Sequence, residues 1–196
     1  MKKKIVISER PDSVSWEDIR QALVEAHKKN LERGLIVRST TLSAEQLREQ
    51  VADGKCFVAL DGGKVVGIAA VRIKSCNQWF CQEEVAHFLL DSVLTDYQGL
   101  GIYSLLQEKR YAYVNENGIC IITTNTAANN ERMVKMLPKQ GFHRAVMFRI
   151  TSSEHYSITW VQWLKGEPSP LKRCLNYAKT VLKAKFQYTF YKILHQ

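Results

Sequence analysis

A chain of 196 residues, 45% hydrophobic and 24% charged, can bury one sizeable core and lies within the size of a single domain. Its formal net charge of +9 favours anionic partners, whether nucleic acid, a lipid surface or a small polyphosphate, without choosing among them. No stretch approaches the roughly 20 apolar residues of a membrane-spanning helix. The five cysteines, Cys56, Cys76, Cys81, Cys120 and Cys174, are odd in number and never spaced as Cys-x-x-Cys, which favours reduced thiols in a cytoplasmic protein over a metal site.

At the N-terminus, Met1-Lys2-Lys3-Lys4-Ile5-Val6-Ile7-Ser8-Glu9-Arg10 regains charge after three apolar residues, too soon for the apolar stretch of a secretory leader. Ser15 and Asp18 then mark a helix start, with Trp16, Ile19, Ala22, Leu23, Ala26 and Leu31 at helical spacing up to Gly34. Ser43-Ala44-Glu45-Gln46 is a capping box for a second helix that carries Leu47 and Val51 and stops at Gly54. Asp61-Gly62-Gly63 has the chemistry of a tight hairpin between strands over 56–60 and 64–71. Residues 75–84 lack a period and predict a loop, and 85–94 resume as a strand. A helix over 102–114 is expected to bury Ile102, Leu105, Leu106 and Tyr113. Ile119-Cys120-Ile121-Ile122 predicts a buried strand, and 129–139 a helix tightened at its end by Pro138. Strands over 144–150 and 157–164 come next. Gly166-Glu167-Pro168-Ser169-Pro170 marks a boundary that divides the chain into a domain, 1–166, and a basic amphipathic tail, 167–196. The order is helix, helix, three strands, helix, strand, helix, two strands: an α/β fold with a mixed sheet flanked by helices.

The stretch Val93-Leu94-Thr95-Asp96-Tyr97-Gln98-Gly99-Leu100-Gly101-Ile102-Tyr103-Ser104 runs from strand to helix through two glycines. A helix start has unpartnered N–H groups and a positive dipole end, and glycines clear the Cβ atoms that would keep a phosphate away. A turn alone would also use glycines. A Walker A loop is excluded, because Ile102-Tyr103-Ser104 replaces Gly-Lys-Ser/Thr. A dinucleotide fingerprint stays a remote alternative: Ser104 stands where its third glycine belongs, and helices and a hairpin precede the motif.

Gln98-Gly99-Leu100-Gly101-Ile102-Tyr103 after Val93-Leu94-Thr95 resembles the Gln/Arg-x-x-Gly-x-Gly/Ala signature of the GNAT superfamily of acyl-CoA-dependent N-acetyltransferases. It fits at Gln98 and Gly101 and departs at Tyr103, where the family prefers a small residue. Residues 129–142, from Asn129-Asn130 to Gly141-Phe142, are similar to the family's Asn-x-x-Ala-x-x-Leu-Tyr-x-x-x-Gly-Phe. The resemblance covers roughly residues 4–165 and implies the GNAT fold, acetyl-CoA as acyl donor, direct transfer to a primary amine, and no metal.

It also implies roles. The N–H groups of Gln98, Gly99, Leu100, Gly101, Ile102, Tyr103 and Ser104 would hold the CoA pyrophosphate. The splayed strand end at Leu94 would bond the pantetheine, with Asn130 and more weakly Asn129 on the same arm, and Arg132, Lys135 or Lys109 would meet the 3′-phosphate. As helix caps, both asparagines have an ordinary explanation as well. The family's tyrosine acid is replaced by Leu137, which donates no proton; Tyr97 and Tyr103 are candidate acids. Alternation places His87 and Asp91 on one strand face, His87 as a base titrating near neutrality and Asp91 as a partner for the substrate ammonium. A small-molecule amine is the expected acceptor, with Arg38, Ser39, Thr40 and Thr41 in the cleft wall over 34–42 favouring a polar or anionic one.

The tail carries Lys172, Arg173, Lys179, Lys183, Lys185 and Lys192 without an acid, beside apolar residues at helical spacing. That pattern fits peripheral contact with the inner membrane surface through 171–196, or a helix whose apolar side docks on the domain or makes a homodimer contact. No nucleic acid is expected, since no recognition motif accompanies the charge. A non-catalytic CoA-binding or membrane-surface interaction protein on the same fold is the alternative function.

Overall fold

The computed structural model describes residues 4–34, 37–76, 84–149 and 156–166. Seven strands, β1 (Ile5–Glu9), β2 (Gly54–Asp61), β3 (Lys64–Ser75), β4 (Glu84–Val93), β5 (Ile121–Ala127), β6 (His143–Arg149) and β7 (Tyr156–Trp163), form one sheet in the order β1-β2-β3-β4-β5-β7-β6. Every neighbouring pair is antiparallel except β4–β5, which is parallel. Among the described residues the α-helices are α1 (Trp16–Glu32), α2 (Ala44–Gln50), α3 (Ile102–Glu116) and α4 (Glu131–Met136).

The sheet has a core on each face. Ile19, Leu23 and Leu47 of α1 and α2 pack with Val58, Ile68, Ala70 and Leu90 on one side. Ile102, Leu106 and Val114 of α3 pack with Ala69, Val71, Phe88 and Ile122 on the other, where Met133 and Val134 of α4 join them. Capping boxes start both α1 (Ser15 and Asp18) and α2 (Ser43 and Gln46), as their sequences require. The two-residue turn at Gly62 and Gly63, both at positive φ, closes the β2–β3 hairpin.

The structure departs from the sequence reading at several elements. β1 was absent from the expected order: it is a five-residue edge strand on β2, with Ile5 and Ile7 against the core and Val6 half exposed. Gly54 does not stop a helix but lies in β2, where a Cβ would sit 1.9 Å from the Val71 carbonyl oxygen. On α3, Leu105 faces solvent, and the buried stripe is Ile102, Leu106, Arg110 and Val114 at four-residue spacing. β5 begins at Ile121 and runs to Ala127, later than the apolar run suggested. α4 is shorter than expected and passes into a 3-10 turn at Leu137–Gln140. Cys76 adjoins β3 in the expected loop; residues 77–83 and the tail over 167–196 lie outside the described residues. Among the described residues no helix is long and apolar enough to cross a membrane.

Candidate active site

Parallel pairing between β4 and β5 ends early. Ala86, His87 and Phe88 pair with Ile122, Thr123 and Thr124, and the Thr124 hydroxyl donates to the Phe88 carbonyl at 3.1 Å. Beyond that point the strands separate, and a groove of about 1560 Å³ opens between α1, the C-terminal halves of β4 and β5, the loop into α3, and α4.

A bulge shapes the β4 wall. Ala70 pairs with Leu89 and Ile68 with Ser92, so two residues of β4, Leu90 and Asp91, stand opposite Ala69. Leu90 takes up the extra length with φ of 60°, a left-handed conformation rare for a branched side chain. The extra residue shifts the alternation by one. Leu89 and Leu90 both pack toward α1 and α2; after them Asp91 faces α3 and Ser92 faces α1. His87, before the bulge, faces the α1 side and meets Thr123 Oγ1 through Nδ1 at 2.9 Å. His87 and Asp91 therefore sit on opposite faces, and the shared face expected from simple alternation is corrected.

Their chemistry differs from expectation too. Burial, reinforced by Lys74, Arg72 and Arg110, pulls the His87 imidazole down to about 3 instead of leaving it near neutrality. Asp91 is in an ion pair with Arg110, Nη2 to Oδ1 2.5 Å, and burial holds its carboxyl above the usual carboxylate range against that pairing. Arg110 is fully buried, its guanidinium 4.1 Å from the Phe88 ring centroid, its Nη1 donating to the Ala70 carbonyl and its Nε and Nη2 to Gln107 Oε1. Gln107 in turn donates to the Tyr103 hydroxyl. Asp91 is thus committed to a buried network, and sequence periodicity concealed Arg110 because an arginine was not sought in an apolar stripe.

The glycine turn has the geometry of an anion site. Gly99 and Gly101 have φ of 79° and 76°, and a Cβ on either would meet nothing within 4 Å, so the space in front of the α3 N-terminus is open. Gly101 is the N-cap of α3 and offers no side-chain acceptor to the first turn. Gly99, Gly101, Ile102, Tyr103 and Ser104 line the groove, as does Gln98; Leu100 projects to solvent. Gln98 spans the groove mouth, its Nε2 donating to the Val93 carbonyl at 3.2 Å and its Oε1 accepting from Arg132 Nη1 at 3.0 Å.

Leu94 does not present itself to the groove. Its N–H donates to the Val66 carbonyl and its carbonyl accepts from Tyr97, while the side chain is in the α3-side core. The polar strand edge available to a ligand lies before it, on the separated part of β4. Asn129 and Asn130 both line the groove, and Asn130 Oδ1 also caps α4 by accepting from Met133 N–H at 3.3 Å. Leu137 is buried in the core. Of the candidate acids, Tyr97 donates to Asp61 Oδ2 at 2.8 Å, which raises its pKa, and burial raises that of Tyr103. Both phenols hold their protons more firmly than a free tyrosine.

The α1 wall brings in residues that sequence reasoning passed over. His27 Nε2 lies 2.9 Å from Ser92 Oγ, and His27 Nδ1 lies 3.1 Å from Asn30 Nδ2. His27 and Asn30 at i and i+3 share a helix face; the serine could be matched to them only through the bulge. Lys29, Arg33 and Arg38 add positive charge along this wall, and Arg132 and Lys135 along the α4 wall. Among the described residues the acids in the lining are Asp91, paired with Arg110, and Glu131, paired with Lys135 at 3.2 Å. Lys109 is exposed on α3 and is not part of the groove lining. Among the described residues no group of three or more His, Cys, Asp or Glu side chains could hold a metal ion.

Residues 16–142 match the family model described as Acetyltransferase (GNAT) family. No curated protein sequence matches the chain. Among solved structures, the fold is similar to the ribosomal-protein-S18-alanine N-acetyltransferase of Escherichia coli, with TM-score 0.62 and 16% identity over 85% of this chain and 98% of that one. A GNAT-family acetyltransferase of Staphylococcus aureus MU50 gives TM-score 0.63 and 18% identity over 83% of this chain and 100% of that one. A chain of the NatC complex bound to Gag peptide and CoA gives 0.66 and 14% over 83% and 99%.

Proposed function

Because the chain belongs to the GNAT acetyltransferase family, with acetyl-CoA as the family's acyl donor, we propose that it moves an acetyl group from acetyl-CoA directly to a primary amine of a small molecule. The observation that carries this reading is the parting of β4 from β5 directly beside an open helix N-terminus. One end of the groove offers N–H donors to a pyrophosphate, and the separated β4 edge offers backbone groups to an extended amide-containing arm. Bound acetyl-CoA supplies the activated thioester. The residues from Gln98 to Ser104, excepting the outward side chain of Leu100, hold its pyrophosphate, Asn129 and Asn130 flank the arm, and Arg132 and Lys135 meet its outer phosphate.

The acceptor enters from the α1 side. Lys29, Arg33 and Arg38 make that wall positive, which disfavours a polyamine and favours an amine that also carries a carboxylate or phosphate. His87 stays neutral there, so its role is to hold the uncharged amine by a hydrogen bond; solvent in the open groove takes the proton. A protein or peptide acceptor is the other outcome of an acceptor screen: one structural relative is named as a ribosomal-protein-S18-alanine N-acetyltransferase and another is bound to Gag peptide.

Isothermal titration of acetyl-CoA, with CoA and NADH as controls, tests the reading. It predicts micromolar binding of CoA species and none of NADH, followed by thiol release on screening amino acids, phosphorylated amines, polyamines and peptide N-termini. Failure to bind any CoA species overturns it, and binding without thiol release for every amine leaves a CoA-binding protein.

A further inference from the structure

We infer that the Ser92 hydroxyl is the side-chain donor to the reacting thioester, and that His27 and Asn30 hold it in its donating orientation; the inference rests on the acetyl-transfer reading above. Ser92 is 6% exposed, lines the groove, and lies on β4 four residues beyond the last pair with β5, where the strands have separated. It reaches the α1 side only because of the bulge at Leu90: unbroken alternation would place it with Phe88 on the α3 face. A left-handed leucine in a central strand is a costly device, and its effect is to bring this hydroxyl to His27.

The direction of the hydrogen bonds follows from the donor inventory. Asn30 Nδ2 can only donate, so His27 Nδ1 accepts at 3.1 Å. Burial lowers the His27 pKa and so favours the neutral ring. A neutral ring accepting at Nδ1 carries its proton on Nε2 and donates it to Ser92 Oγ at 2.9 Å. The single proton of Ser92 is then turned away from His27. Three donors run in series from Asn30 to His27 to Ser92, each polarising the next.

The chemistry needs such a donor. As the amine nitrogen bonds to the thioester carbon, negative charge gathers on the carbonyl oxygen; as the C–S bond breaks, its electron pair leaves on sulfur. A fixed hydroxyl stabilises this charge without giving up its proton. The amine proton passes to solvent and the CoA thiolate takes one from solvent, so the Asn30–His27–Ser92 chain is the same before and after the reaction. Leu137, a buried hydrocarbon, supplies nothing comparable. Ser92 is thus a catalytic residue on the thioester side, and His27 and Asn30 are positioning residues.

The test joins a tautomer measurement to turnover. Long-range proton–nitrogen NMR of the full chain with acetyl-CoA bound is expected to show His27 protonated at Nε2. Thiol release from acetyl-CoA, with ethylamine as an unspecialised acceptor, is expected to fall about a hundredfold in Ser92→Ala while the acetyl-CoA Kd stays within twofold. His27→Ala is expected to lose most of the rate. His27→Gln, whose amide N–H can stand where Nε2–H stood, is expected to recover most of that loss, which a histidine acting as general base would not permit. Protonation at Nδ1 makes His27 an acceptor from Ser92 and overturns the proposal, as do unchanged turnover in Ser92→Ala and His27→Gln as slow as His27→Ala. If ethylamine is not accepted, the same rates are read with the amine that the acceptor screen identifies, and protonation at Nδ1 still overturns the proposal. Loss of acetyl-CoA binding in the unaltered chain sinks the acetyl-transfer reading instead.

Discussion

Arg110 of α3 and Asp91 of β4 meet in an ion pair at the groove wall, Nη2 to Oδ1 2.5 Å, with the arginine side chain 0% and the aspartate 18% exposed. The pair locks α3, whose first turn is the proposed anion site, to the strand that forms the groove wall. Removing one partner leaves a buried charge uncompensated, so Arg110→Ala should cost about 3–5 kcal/mol, read by urea unfolding. The double change Arg110→Met with Asp91→Leu should recover much of that loss; a double variant no more stable than Arg110→Ala would show that packing on Phe88, and not charge, is what matters.

Acid should unfold the protein through His87. Its folded pKa, about 3, lies below the ordinary 6.5, so between those values the unfolded chain binds a proton that the native one excludes. Stability is then fully present above pH 6.5 and is lost as pH falls toward 3, by about 1.4 kcal/mol per unit. Going from pH 7 to pH 5 should cost about 2 kcal/mol from this group, and His27, lowered in the same direction, adds to it. Asp91 acts oppositely, since a raised carboxyl pKa means protonation on acidification relieves the native state. His87→Asn should flatten the slope between pH 5 and 7; an unchanged slope would place the acid sensitivity elsewhere.

Gly101→Asp should abolish acetyl-CoA binding, weakening it at least a hundredfold by titration calorimetry. The new Cβ meets no protein atom within 4 Å, so packing is spared; the backbone strain of a non-glycine residue at φ of 76° is read separately, by urea unfolding of the same variant. A carboxylate would stand where the pyrophosphate belongs, at the positive end of the helix. A folded variant with wild-type affinity would remove the anion site from this turn.

Gly54→Ala should be among the most damaging small substitutions in the chain. Its Cβ would lie 1.9 Å from the Val71 carbonyl oxygen and 2.6 Å from the Arg72 Cα, backbone atoms that no side-chain rotation can clear. Parting β2 from β3 at this point should cost about 3 kcal/mol, the upper part of the overpacking range. A shift in the urea midpoint smaller than that of a surface Gly→Ala change would contradict the close approach.

Arg132→Ala should weaken CoA more than 3′-dephospho-CoA if Arg132 meets the outer phosphate. Equal losses for both ligands would assign the arginine only to Gln98, which it already contacts across the groove mouth.

Much of this was legible before any coordinate. Local signals that depend on a few neighbouring residues held: the capping boxes of α1 and α2, the Gly62-Gly63 hairpin, and the glycines before α3. The family resemblance, resting on two motifs and the elements between them, is matched by the family model over residues 16–142. The edge strand β1 was missed because five residues with one face against the core offer too short a period to read.

What the chain alone determined is where helices begin and where it turns, because caps and glycines act through backbone groups only a few residues away. Which side chains face each other across the groove was decided by tertiary structure. One extra residue at Leu90, invisible to a period of two, sends Asp91 to Arg110 and Ser92 to His27 while His87 stays on the α1 side. Burial then sets the charge states, turning a histidine expected to titrate near neutrality into a neutral one and an aspartate expected at the substrate into half of an ion pair.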